Sequence, residues 1–392
     1  MNDSNLLGSP RSSAEDKSVL FVADPYYGAI AAVRALRASG YAPWLAVDKP
    51  GAYASRSRAT AGSVLVPDLK LDGEGFVREL AAAAARLSVK AVLPGAEPYL
   101  YALAGHEESF GGAVLGTPPL ESVERATNKG LLPEFAMSSG LQTPPTKIVR
   151  GDSEATGTFG FPAIIKPLRS WIRNPEGTIS AYSARYVADE QAAEEALRAL
   201  PAGEGLVQPY VPGQLVSVAG VSWEGELICA LHQASIRIWP LRTGVSSYAQ
   251  TIPQNPALEQ GIGRLLQKIG WSGLFQAQFI RDSHGQHYLI DINPRVYGSL
   301  ALAVAAGLNL PGIWTDLLLG RRPEIHGYRV GTRFRHEEKD VRALAQMLVE
   351  GERRRVFGGL VPRRGTTHAI FSLRDPMPLL TSVERLAGWI AR

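Results

Sequence analysis

The stretch 275–302, FQAQFIRDSHGQHYLIDINPRVYGSLAL, holds two apolar runs around the polar turn 281–286 with its glycine, Gly285, and so predicts a β-hairpin late in the chain. Side chains alternate faces along a strand, so Gln276 and Gln278 share one face while Phe275, Ala277 and Phe279 take the other. Asp291, Asn293 and Arg295 begin on a common face of the return strand. A ladder between the two runs lets these polar faces meet and leaves the aromatic face to a core. Asn293, Pro294 and Arg295 interrupt the second strand without a packing gain, which marks the segment as more than a surface turn.

The amide oxygens of Gln278 and Asn293 and the carboxylate of Asp291 form a hard oxygen set suited to magnesium, which takes few protein ligands when phosphates and water complete its shell. Arg295 beside them offers a planar fork of donors for phosphate oxygens. The segment reads as the floor of a metal-nucleotide site in an ATP-using ligase; a solvated hairpin carrying Asp and Asn is the plain alternative. Upstream, the apolar run 161–167, FPAIIKP, ends on one lysine. Burying Lys166 is costly unless its charge is neutralised, so a phosphate partner is expected, against the simpler reading of a strand-end lysine reaching solvent.

Gln278 together with DINPR, Asp291 to Arg295, resembles the metal-binding motif of the ATP-grasp superfamily, in the version found in carbamoyl phosphate synthetase large subunits. Many other members carry Glu where Gln278 stands. More loosely, most of 18–330 is similar to the ATP-dependent carboligases of that superfamily. The resemblance implies an α/β chain with the ATP-grasp fold: an N-terminal parallel α/β (pre-ATP-grasp) domain and two α+β subdomains enclosing ATP. It implies that Lys166, and Lys129 in Thr127-Asn128-Lys129-Gly130, touch the nucleotide phosphates. It makes 205–213, GLVQPYVPG, the hinge whose main chain at Gln208, Tyr210 and Val211 reads the adenine edge. Gln214 then stands where relatives place an acidic ribose ligand, and an amide still hydrogen-bonds a hydroxyl. In carboligase-like relatives the segment 233–247 borders the acceptor side. Arg237 there is a candidate to bind a substrate carboxylate or steady an acyl phosphate, with surface ion pairing as the alternative. Ser299 is grouped with it as a substrate contact. The cofactors implied are ATP and Mg2+.

One departure stands out. The family's lid over the phosphates is usually glycine-rich, so that backbone amides approach the anion, whereas 168–177 here is LRSWIRNPEG with a single glycine. Arg169 and Arg173 are available to supply positive charge instead.

Ahead of this core, strands at 18–23, 43–47, 63–66 and 90–93 alternate with helices ending near Ser39 and spanning 74–87, the pattern of a parallel, doubly wound sheet. The first loop offers one glycine, Gly28, where a dinucleotide turn needs three, so no cofactor is assigned to it. Glu97 follows the strand 90–93 at the edge where open α/β sheets bind ligands, and is a candidate substrate contact, to an amine, against helix capping or plain exposure. The expected division is a disordered tail over 1–17, an α/β domain over 18–118, a lid-side subdomain over 119–207, a metal-binding subdomain over 208–330 and an appendage over 331–392. That appendage carries a helix over 338–350, a strand near 369–373 and a terminal helix started by Asp375-Pro376.

At 392 residues and 45% hydrophobic content the chain suffices for two or three domains with buried cores. It has no apolar run of the length of about 20 residues that a membrane span needs, and its first residues lack the apolar centre of a secretory signal. Cys229 is the sole cysteine, so an intrachain disulfide or thiolate metal cluster is excluded and a cytoplasmic enzyme fits. The net charge of +4 is modest and its arginines, densest at Arg353 to Arg355, do not gather with aromatics, so nucleic acid is not the expected partner. His232 is a weak acid-base candidate, and no Ser-His-Asp order or metal-ligand histidine helix is visible.

The leading expectation is a carboxylate-amine ligase acting on small molecules, in which ATP activates a carboxylate as an acyl phosphate and an amine displaces the phosphate. Homodimers are common in the family. Bicarbonate activation of the carbamoyl phosphate or carboxylase type is the first rival, favoured by Gln278. A nucleotide-binding sensor without turnover is the second, motivated by the missing lid glycines.

Overall fold

The structure, a computed structural model, describes residues 6–7, 17–22, 27–150, 159–173, 179–200, 204–352, 356, 363 and 365–381. Most of the expected tail, the lid residues Asn174 to Gly177, the arginines at 353–355 and the terminal helix beyond Thr381 lie outside the described residues. From the tail, Leu6–Leu7 forms a short strand antiparallel to Gly62–Leu65.

Gly62–Leu65, Ala42–Val47, Ser18–Val22, Ala91–Pro94 and Val114–Leu115 lie side by side in that order as a parallel sheet. Ser18–Val22, SVLFV, is buried throughout, the continuous apolar run of a strand covered on both faces. The order reverses between Ser18–Val22 and Ala91–Pro94, and their carboxyl ends lead to Tyr27 and Glu97. That reversal is the switch point at which such sheets bind ligands. Helix Gly73–Arg86 begins where the Asp72 side chain accepts from the Gly75 amide at 2.8 Å.

A second sheet is antiparallel, ordered Arg185–Val187, Ala163–Lys166, Glu204–Pro209, Lys147–Arg150, with helix Glu190–Arg198 covering one face through Ala193, Ala196 and Leu197. The third has seven strands: His287–Asn293, Gly273–Arg281, Gln214–Trp223, Glu226–Trp239, Val245–Thr251, Arg333–Arg335 and Thr366–His368. Phe275, Ala277 and Phe279 point from it into a core shared with helix Pro256–Ile269, leaving Gln276, Gln278 and Ile280 on the opposite face. That helix is bounded by Asn255, whose side chain accepts from the Ala257 and Leu258 amides, and by Gly270, whose φ of 73° is left-handed.

Two expected boundaries move. Helices Leu120–Thr127 and Leu132–Ser138 pack through Val123, Leu132 and Ala136 onto the core of helix Pro256–Ile269, and Arg264 donates to the Ser139 carbonyl, so they sit with the seven-stranded sheet rather than the lid-side one. The C-terminal residues are no appendage either. Arg333–Arg335 and Thr366–His368 extend the large sheet, and helix Glu337–Val349 lies against it. The strand expected at 369–373 falls earlier, at Thr366–His368.

The C-terminal stretch is fastened to the N-terminal domain by Asp375, which accepts from Arg34 Nε at 2.8 Å, Ser57 Oγ at 2.6 Å and the Arg58 amide at 3.0 Å. Burial alone would raise this carboxyl, but the Ser57 and Arg58 hydrogen bonds and the Arg34 guanidinium hold it below its usual range. A carboxyl depressed on folding stabilises above its unfolded pKa near 4, and the contribution is lost as pH falls through the folded value. Asp375→Ala is therefore expected to cost about 1–3 kcal/mol at pH 7 in urea unfolding. The gap to the wild type should close in acid below about pH 4; a gap equally wide at pH 3 would refute the linkage.

Candidate active site

A cavity of about 350 Å³ lies between the four-stranded and seven-stranded sheets and reaches Tyr27 at the edge of the parallel sheet. Its floor is the expected hairpin. Gln278 stands opposite Asp291 and Gln276 opposite Asn293, so the two polar faces do meet across the ladder, and all four residues line the cavity. A register shift beside Gln278 and Phe279 leaves Ile290 as the extra residue on the return strand. This bulge brings both Ile290 and Asp291 to the cavity, which strict alternation forbids.

From the roof, Lys166 at the end of Ala163–Lys166 crosses the gap and donates to the Ile290 carbonyl at 3.0 Å. It is 8% exposed. Burial lowers its pKa to about 8, with Asp291 pulling it back up and Lys129 pushing it further down. Lys129 arrives from the loop after Leu120–Thr127 and makes a direct ion pair with Asp291 Oδ1. The Lys129 amide donates to the Leu168 carbonyl at 2.8 Å, which ties this loop to the base of the lid ribbon Trp171–Arg173 and Ile179–Ala181. Two lysines and one aspartate thus converge where sequence reasoning placed a phosphate group.

The hinge residues Gln208, Tyr210 and Val211 line the cavity, and each does so in a defined way. The Gln208 side chain donates to Thr146 Oγ1 at 2.8 Å, and the Tyr210 amide donates to the Pro162 carbonyl at 3.0 Å. The Tyr210 ring meets Tyr186 edge-on at 5.2 Å. Facing the hinge are Ile164, Leu215, Ile280 and Ile290, an apolar slot of the kind that receives a flat heterocycle.

Other candidates land elsewhere. Gln214 is on the face opposite Leu215, where it accepts from Arg281 and donates to the Ser235 carbonyl at 3.1 Å, so it does not line the cavity. Arg237 also turns away, because its strand is irregular between Ser235 and Ile238 and Ile238 takes the cavity side. Its guanidinium is bidentate to Asp340, at 2.7 and 2.8 Å, and lies over the Tyr248 ring, in a buried ion pair rather than at a substrate. Glu97 lies behind the lining, 3% exposed, accepting from Arg295 Nε at 3.1 Å. Arg169 stacks over Tyr101 instead of reaching the phosphate end. His232 is buried against Glu259 at 2.9 Å, and burial lowers its pKa. Ser299 does line the cavity, exchanging hydrogen bonds with Gln233 at 2.8 and 3.0 Å.

Residues that sequence reasoning missed include Gln276, Trp171, Arg242 and Ser246. Gln276 was readable, two positions before Gln278 on the same face. Arg242 comes from the turn after Glu226–Trp239, where the conformation of the loop decides which side chain faces inward, and Ser246 from the start of the returning strand Val245–Thr251.

As to a metal, no group of three His, Cys, Asp or Glu is gathered among the described residues. Gln278, Asp291 and Asn293 instead present one carboxylate and two amides on one wall, which fits a hard cation that brings phosphate ligands with it and fits a thiophilic ion poorly.

Comparisons with known proteins place the chain among similar folds and sequences. Residues 203–340 match the family described as ATP-grasp in the biosynthetic pathway with Ter operon. The carbamoyl phosphate synthase large chain of Hyperthermus butylicus is 29% identical over 235 residues, 54% of this chain and 21% of its own length. The chain thus spans about a fifth of the curated relatives it matches. Among solved structures, the L-amino acid ligase of Bacillus licheniformis superposes with a TM-score of 0.60 at 16% identity, covering 78% of this chain and 74% of that one. A biotin carboxylase from Campylobacter jejuni, in complex with β-γ-ATP, does so with a TM-score of 0.61 at 16% identity, covering 81% and 74%. Residues 203–340 thus resemble an ATP-grasp domain, and the fold of the chain is the one those structures share. No single helix among the described residues is long and apolar enough to cross a membrane.

Proposed function

We propose that the protein is an ATP-dependent ligase that activates a small-molecule carboxylate as an acyl phosphate and joins it to an amine, releasing ADP and phosphate. The observation that carries this reading is the convergence of Lys166 and Lys129 with Asp291, Gln278 and Arg295 on one cavity, with an apolar slot beneath the hinge. The base of ATP occupies the slot lined by Ile164, Leu215 and Ile280, against the main chain of 208–211. Its phosphates then run toward Lys166, Lys129 and Arg295.

In the first step a carboxylate oxygen attacks the terminal phosphorus and the bond to the bridging oxygen breaks, with ADP leaving. In the second, the amine nitrogen attacks the acyl carbon, phosphate leaves and the amine gives up a proton to solvent. Lys166 and Arg295 hold the transferred group in line and offset its charge, and phosphoryl transfer depends mostly on such positioning. Gln278, Asp291 and Asn293 would hold magnesium, which would supply charge neutralisation at the phosphates. Lys129, paired with Asp291, is placed to exchange that partner for a phosphate.

The test is ADP release with magnesium across a panel of carboxylates and amines, with hydroxylamine added to trap an acyl phosphate as a hydroxamate. Hydroxamate formation without an amine supports the reading; nucleotide binding with neither ADP nor hydroxamate supports a sensor. The match to carbamoyl phosphate synthase large chains and Gln278 favour one second reading, bicarbonate activation, which predicts ADP release stimulated by bicarbonate alone. Gln278→Glu is expected to keep metal-dependent nucleotide binding and shift the preference between magnesium and manganese. Loss of nucleotide binding altogether in that variant would remove Gln278 from the ligand set.

A further inference from the structure

Arg295 follows the last strand residue, Asn293, so no ladder fixes its backbone. Its side chain is nonetheless held at each nitrogen: Nη2 donates to Asn293 Oδ1 at 3.1 Å, Nη1 to the Val296 carbonyl at 2.9 Å and Nε to Glu97 Oε1 at 3.1 Å. The first two contacts are local, while Glu97 is 198 residues away and belongs to a different domain. It opens helix Glu97–Leu103 directly after Ala91–Pro94, at the switch point of the parallel sheet. Its side chain is 4% exposed and that of Arg295 20%, so the charge pair is sheltered from water and its geometry is enforced.

We propose that Glu97 is the positioning residue for Arg295, so that the N-terminal domain completes the catalytic site instead of only supporting it. The inference rests on the reading above that Arg295 faces the nucleotide phosphates. A guanidinium is effective at a phosphate when its fork is preset, because each donor then loses little freedom on binding. The Glu97 carboxylate presets it by taking Nε, and leaves the Nη edge turned to the cavity floor beside Asn293. Its negative charge also offsets one of the cations crowded around the phosphate end, among them Lys129 and Lys166. This differs from a substrate contact: Glu97 acts through Arg295 and does not itself line the cavity.

The test is calorimetric titration of ATP and of AMP, with magnesium, into the full-length protein and into Glu97→Ala, Arg295→Ala, the double variant and Glu97→Gln. AMP lacks the phosphates that Arg295 addresses, so a general loosening of the fold weakens both ligands while mispositioning weakens ATP selectively. Both single variants are expected to weaken ATP about ten-fold and AMP by less than about two-fold. The double variant should bind no more weakly than Arg295→Ala. Glu97→Gln should stay within about three-fold of the wild type, because its amide oxygen still accepts from Nε. Equal losses for ATP and AMP, or single losses that multiply in the double variant, would overturn the proposal. Where Glu97→Ala does not fold, Glu97→Asp withdraws the charge by one methylene and should show the same ATP-selective loss in smaller measure; unchanged ATP affinity there overturns it too. A wild type that binds no ATP defeats the nucleotide reading and this proposal together. A wild type that binds ATP while the Glu97 variants match it defeats this proposal alone.

Discussion

Lys166→Ala is expected to lower ADP formation by about two to three orders of magnitude, measured as kcat/KM for ATP by coupled ADP release. Lys166 spans from the four-stranded sheet to the hairpin floor, through its bond to the Ile290 carbonyl. A buried ammonium with a pKa lowered to about 8 is poorly solvated in the free protein, so a phosphate oxygen gains from it more than from a surface lysine. Removing it takes away a donor aimed at developing charge in a site where water is scarce. Lys166→Arg keeps the charge but adds a planar fork to a slot shaped for a point charge, and should recover only part of the loss. Because Lys166 also packs at a strand end, the variant's melting temperature belongs beside its kinetics. A drop below about 3 kcal/mol in stability with activity reduced as stated separates chemistry from folding.

Asp340→Ala is the largest expected stability change, about 3–5 kcal/mol in urea unfolding. Asp340 is 2% exposed and takes two hydrogen bonds from Arg237 and one ion pair from Arg335 at 3.0 Å, with both guanidinium groups over the ring of Tyr248. Without the carboxylate, two arginines share one buried site beside Tyr248 with no negative charge between them. The same cluster decides between the two readings of Arg237. If Arg237 binds substrate, Arg237→Met raises KM and leaves the unfolding midpoint in place. The buried pair predicts the reverse: stability falls and KM for the carboxylate substrate stays within about two-fold. Combining Arg237→Met with Asp340→Leu should recover much of the loss, since an apolar pair of similar volume replaces a pair that was costly to desolvate.

The hairpin floor was legible because it depends on period-two alternation, and Gln278, Asp291 and Asn293 fall where that period puts them. Lys166 was legible for a different reason, the cost of ending a buried strand on an unpaired ammonium. The parallel sheet followed from alternating strand and helix signals, although no local signal announced that Glu97 at its edge would turn to Arg295. That contact is tertiary, as is the Arg237 pair with Asp340 across 103 residues of chain. Gln214 was assigned through the resemblance, which does not fix the face of the strand, and Leu215 beside it faces inward. The C-terminal strands were undervalued because Arg333–Arg335 and Thr366–His368 are three residues each and draw their stability from the long sheet they join.

The most direct measurement is a crystal of the protein soaked with magnesium and a non-hydrolysable ATP analogue. The account predicts the base in the slot of Ile164, Leu215 and Ile280, with the terminal phosphate within hydrogen-bond reach of Lys166 Nζ and Arg295. A nucleotide bound outside this cavity, or seated there with its phosphates directed away from both side chains, would contradict it.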